Sequence, residues 1–86
     1  VPEICRFFGI VITMYYNDHV PPHFHARYGR EKASIGIESL QILEGTLSPR
    51  ALGLVMEWAS AHKSELMNDW VLARSRSPLK SIDPLR

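Results

Sequence analysis

The stretch His23-Phe24-His25-Ala26-Arg27-Tyr28-Gly29-Arg30-Glu31-Lys32-Ala33-Ser34-Ile35-Gly36-Ile37-Glu38 decides the fold. Its two arms alternate polar and apolar residues. This is the pattern of half-buried strands, because successive side chains leave a strand on opposite faces. Gly29-Arg30-Glu31 between them is a short turn, so the stretch reads as an antiparallel hairpin. Phe24, Ala26 and Tyr28 fall on one face of the first arm, and Ala33, Ile35 and Ile37 on one face of the second. His23, His25 and Arg27 take the other face with Lys32, Ser34, Gly36 and Glu38.

Upstream, Ile10 to Tyr16 is β-branched and aromatic and suits a pleated sheet. Ile10, Ile12, Met14 and Tyr16 would face the core, and Thr13 and Tyr15 would join the polar face. Glu3 to Phe8 reads as a further short strand ended by Gly9. Asn17-Asp18 is a turn signal, and Pro21-Pro22 holds the chain extended before the hairpin. Downstream, Leu40 to Leu43 would add a short strand ended by Glu44-Gly45.

Ser48-Pro49 then starts a helix, with serine at the N-cap and proline at the first helical position. Leu52, Val55, Met56, Ala59, Leu66, Trp70 and Ala73 recur at helical spacing, widened by Leu54, Trp58 and Ala61. The pattern runs to about Arg74. A kink within Ser60 to Ser64 would split it. Ser75 to Arg86, with Pro78 and Pro84, reads as an irregular tail. The expected fold is α+β: a small antiparallel sheet of three to four strands, over about 3–43, packed on one long or two shorter C-terminal helices over about 48–74.

The 86 residues make one domain, 1–86. So short a chain buries only about 60% of the surface it exposes when unfolded, which leaves room for a partner to cover the rest. Its net charge of +1 and pI near 8.1 are too mild to bind nucleic acid by field alone. The lone Cys5 cannot form an internal disulfide and fits a reducing compartment. Ile10 to Met14 is too short to span a membrane, and no secretory signal precedes it, so the expected location is cytoplasmic. Val1 reads as a misread initiator or a trimmed terminus.

The chemistry gathers at Asp18-His19-Val20-Pro21-Pro22-His23-Phe24-His25. Two histidines two apart on a strand project to one side with Cα atoms roughly 7 Å apart, close enough to bind one zinc-like ion. His19 would add a nitrogen, and Asp18 a carboxylate ligand or an acceptor that fixes a ring tautomer. A metal-free reading uses His23 and His25 as acid and base in phosphodiester cleavage. Arg27 would then stabilise the phosphate charge and Tyr15 would assist by stacking a base. Arg27, Arg30 and Lys32 form a basic hairpin tip that would contact RNA. The plainest alternative is a set of histidines on an exposed strand that bond only water and neighbours. His62 reads as a surface or partly buried helical histidine, and Cys5 as a small buried apolar residue.

Several runs resemble a bacterial family known as domain of unknown function 4160. They are Pro2-Glu3-Ile4, Arg6-Phe7-Phe8-Gly9-Ile10, Met14-Tyr15-Tyr16-Asn17-Asp18-His19, Pro21-Pro22-His23-Phe24-His25-Ala26, Tyr28-Gly29 and Leu66-Met67-Asn68-Asp69-Trp70. The resemblance covers nearly the whole chain and implies a toxin–antitoxin module. This chain would be the toxin, and the antitoxin would be a small protein of the type called domain of unknown function 2442. Many such toxins cleave RNA, so the resemblance favours a cytoplasmic toxin that cleaves or binds RNA. A metal-binding or protein-interaction module without catalysis is the alternative.

Overall fold

A computed structural model of the chain describes residues 2–86; Val1 lies outside them. The strands are β1 (Glu3–Phe7), β2 (Ile10–Thr13), β3 (His23–Tyr28), β4 (Glu31–Gly36) and β5 (Ile42–Thr46), followed by α1 (Pro49–Ala61) and α2 (Lys63–Arg74). The strands form one sheet in the order β1-β2-β3-β4-β5, every neighbour antiparallel. The α+β reading holds, with one strand more than its upper count.

The hairpin lies where its alternation placed it, with Phe24 opposite Ile35 and Ala26 opposite Ala33. The turn between β1 and β2 consists of Phe8 and Gly9, both at positive φ (48° and 81°), as a type I′ hairpin requires. A bulge after Glu3 breaks the alternation of β1. Ile4 and Cys5 are therefore both buried, while Glu3 and Arg6 are both exposed.

β5 runs through Glu44-Gly45, which the sequence reading took as its end. Gly45 lies at φ +80°, and a Cβ there would stand 2.2 Å from the Lys32 carbonyl oxygen. Only glycine lets the edge strand approach β4 so closely.

The helices cover one face of the sheet. Trp58 is fully buried, its ring 5.4 Å from that of Phe7 and 5.9 Å from that of Phe24. Ile10, Ile12, Met14, Ile35, Val55 and Leu66 complete the same core. There are two helices, broken at His62 inside the stretch expected to kink. The ring of His62 faces Trp58 and bonds Glu65.

Some details differ from the sequence reading. Ser48 occupies the N-cap position, but its hydroxyl makes no cap bond. Instead its backbone N–H donates to Glu31 Oε1 at 2.9 Å, which ties the start of α1 to β4. Tyr16 and Tyr28 were expected in the core and are exposed. β2 ends at Thr13, so Tyr16 no longer follows the strand, and Tyr28 stands at the solvent end of β3. Ala61 is also exposed.

The tail is irregular yet fastened. Ile82 is buried and donates its N–H to Ile4 O, Trp58 Nε1 donates to Asp83 O, and the Lys80 N–H donates to Asp69 Oδ1. Among the described residues, no helix is long and apolar enough to cross a membrane.

Candidate functional site

The loop 14–22 carries the chain from β2 to β3 and brings Asp18 to the histidines. Asn17 adopts a left-handed conformation (φ 50°) that asparagine tolerates better than most residues. Its N–H donates to Ala73 O near the end of α2. At the other end of the loop, the Ile37 N–H donates to Pro22 O. These two bonds fix the loop against α2 and against the end of β4.

Asp18 lies at the centre of the cluster. Its Oδ1 accepts the His19 backbone N–H at 2.8 Å. Its Oδ2 lies 2.9 Å from His23 Nε2 and 3.5 Å from His25 Nε2. Burial acts to raise its pKa, but the His19 amide and the two rings together hold the carboxyl below its ordinary value of 3.8. Burial is also the largest influence on His25, whose pKa falls below the ordinary 6.5 despite the pull of Asp18. At neutral pH, His25 is therefore an uncharged ring beside an ionised carboxylate.

His23 was expected on an exposed polar face, and the structure buries it. It retains only 2% of its accessible surface, because α2 brings the Trp70 ring to 5.3 Å. Its Nδ1 lies 2.7 Å from the Pro21 carbonyl oxygen. A carbonyl only accepts, so Nδ1 carries the proton, and in the neutral ring Nε2 is a bare lone pair. That lone pair points at Asp18 Oδ2, which is also only an acceptor. Two acceptors at this distance need a cation or an additional proton between them.

His25 reaches the same carboxylate from the half-buried side, with the Tyr15 ring 4.4 Å away edge-on. One ligand atom from each of Asp18, His23 and His25 lies within 4.8 Å of the others. His19 is not part of that set. Its ring stacks on His23 at 5.1 Å but is largely exposed, with Nε2 3.7 Å from Asp18 Oδ1.

The face of the sheet opposite the helices is open. It forms a groove of about 640 Å³ that includes Tyr15, His25, Arg27, Lys32 and Ser34 in its lining. Strand register sets out its floor in two rows. Glu3, Thr13, His25, Ser34 and Glu44 lie across the strands in one, and Arg6, Val11, Arg27, Lys32 and Thr46 in the other. Arg30 is at the hairpin tip and does not line the groove. Of the basic residues proposed to contact RNA, the structure thus brings Arg27 and Lys32 together and leaves Arg30 apart.

Sequence reasoning missed Trp70, the Pro21 carbonyl, Glu3 and Glu44 as parts of the site. The two glutamates carried a usable signal, since polar positions in register with His25 are countable once the strands are paired. Trp70 carried none, because a helical stripe does not say which end of which strand it will cover.

Fold and site together define a small α+β protein whose five-stranded sheet carries a partly buried His/Asp cluster at the margin of an open, charged groove. The chain belongs to the family called domain of unknown function (DUF4160), whose sequence model matches residues 9–71. That span includes Asp18, His19, His23, His25 and Trp70. It leaves out β1 and the tail, which are bonded to each other through Ile4 and Ile82. No curated protein and no solved structure gives a significant match.

Proposed function

We propose that this domain binds one divalent cation of the zinc type through Asp18 Oδ2, His23 Nε2 and His25 Nε2. The observation that carries the proposal is the setting of His23, with Nδ1 2.7 Å from the Pro21 carbonyl oxygen and Nε2 2.9 Å from Asp18 Oδ2. With Nδ1–H given to the Pro21 carbonyl, its Nε2 lone pair faces a carboxylate oxygen at 2.9 Å. A histidine held through one nitrogen by a backbone carbonyl presents the other as a ligand, which is the usual outer-shell arrangement of metal-binding histidines. A tetrahedral site with bonds of about 2.0–2.2 Å holds its ligand atoms about 3.3–3.5 Å apart. On loading, Asp18 Oδ2 and His23 Nε2, now 2.9 Å apart, would part by about half an ångström, while Asp18 Oδ2 and His25 Nε2 at 3.5 Å already fit. Three protein ligands would leave one position open, as in catalytic and not structural zinc sites, and one of the three, His25, lines the groove.

The test is metal content. Untagged protein dialysed against zinc and then against buffer should retain about one equivalent, and Asp18→Asn or His25→Ala should retain almost none. The rival state is metal-free, with an additional proton between His23 and Asp18. It predicts no retained zinc in any of the three proteins.

For the cell, we propose separately that the chain is the toxin of a bacterial, cytoplasmic toxin–antitoxin module, paired with a small antitoxin of the domain of unknown function 2442 type. The groove with cations beside His25 is what supports an RNA-directed reading. Induced expression of the chain alone should slow bacterial growth, and co-expression of a small protein of the domain of unknown function 2442 type should restore it. Equal growth with the intact chain and with His25→Ala would remove the catalytic version.

A further inference from the structure

Register places Arg27 directly opposite Lys32 on neighbouring strands, both side chains exposed on the groove floor. Like charges facing each other across a strand pair are destabilising. Among the described residues, neither forms an ion pair. Glu3, the acid whose carboxyl responds to Arg27, gives both its oxygens to Arg6 at 2.8 and 3.1 Å. Glu44 belongs to the other row, opposite Ser34. The floor therefore holds two adjacent cations without a bound counter-charge. His25, one cation ligand of the proposed centre, stands on the same strand face two residues from Arg27, about 7 Å away between Cα atoms.

We infer that the groove binds an organic phosphate of about nucleotide size, its phosphate held by Arg27 and Lys32 beside the Asp18–His23–His25 centre. The inference rests in part on the metal reading. A divalent ion held by two neutral rings and one carboxylate keeps a net positive charge, which favours an oxyanion in the open position. The Arg27–Lys32 pair is independent of that ion and attracts phosphate without it. A groove of about 640 Å³ falls within the range of small-ligand sites and admits a nucleotide. Tyr15 lines the same space and offers a partly exposed ring to a base.

The experiment is calorimetric titration of the full chain, zinc-loaded and zinc-free, with uridine 5′-monophosphate, with the dinucleotide UpU and with uridine. Both phosphates should bind at least tenfold tighter than uridine, and more weakly as salt rises. Whichever ester binds tighter identifies the natural form as monoester or diester. Arg27→Gln/Lys32→Gln should lose at least tenfold in phosphate affinity, with zinc content retained and a melting temperature no lower than the parent's. Uridine binding as well as its phosphate, or the double variant binding phosphate as well as the parent, would overturn the inference. A chain that takes no zinc yet binds phosphate through Arg27 and Lys32 would refute the metal centre and leave the groove assignment standing.

Discussion

At the residue scale, His23 and His25 differ more than their spacing suggests. Both are histidines of one strand face, but His23 is sealed under Trp70 while His25 opens on the groove. His23→Ala should therefore cost stability as well as metal, about 2–4 kcal/mol from the lost packing and the carboxylate left facing a void. His25→Ala should abolish metal retention at a cost below about 1 kcal/mol. Urea melts of the two metal-free variants check this, and equal losses would contradict the division of roles.

Asp69 gives a second prediction at this scale. Its side chain is buried, Oδ1 accepts the Lys80 N–H, and Oδ2 has no partner among the described residues. Burial raises its pKa above the ordinary 3.8. Well below pH 3.8 both folded and unfolded chains hold the proton and there is no penalty. As pH rises the unfolded chain ionises first, so stability falls until the folded carboxyl also ionises, and it is level above that. Asp69→Asn keeps an acceptor for Lys80 and never ionises. Its stability relative to the parent should rise as pH climbs above the ordinary 3.8 and level off once the folded carboxyl ionises. A difference that stays constant over that range would contradict the assignment.

At the scale of elements, the sequence was most legible where alternation or helical spacing was unbroken. His23 to Tyr28 is a strand as read, and the helical break falls at His62, inside the expected Ser60 to Ser64. Legibility failed where a bond or an edge decides the outcome. β5 is largely exposed, so it carries no burial pattern, and its Glu44-Gly45 resembles a terminator. Its glycine is needed because the strand passes so close to Lys32 O. Gly45→Ala should cost about 2 kcal/mol or more, measurable by urea unfolding, from positive φ and the backbone clash combined. The tail has no period at all, yet Ile82 lies buried against β1. Ile82→Ala should cost about 2–3 kcal/mol. A loss within about 0.5 kcal/mol would mean that the tail is not fastened in solution.

At the scale of the whole molecule, one sheet face is spent on the core and the other is open. The helices bury Phe24, Ile35 and Trp58 against the first. The second keeps Arg27, Lys32, Glu44 and His25 in the open groove, with the Asp18–His23–His25 cluster at its margin. The candidate cluster was visible in the sequence as a run of histidines with an aspartate. What was not visible was that Asp18 would join His23 and His25 while His19 stayed outside, because a loop fixed by Asn17 and Pro22 decides that.

The central claim is the metal centre, and the most direct measurement is melting of untagged protein with zinc and with chelator, alongside its metal content. Zinc at a hundred times its dissociation constant should stabilise the fold by about 2.7 kcal/mol. For a domain of this size that is roughly 10–20 °C in Tm. The account predicts about one bound equivalent, that shift in the parent and no shift in Asp18→Asn. Less than about a tenth of an equivalent, with the same Tm in zinc and in chelator, would contradict it.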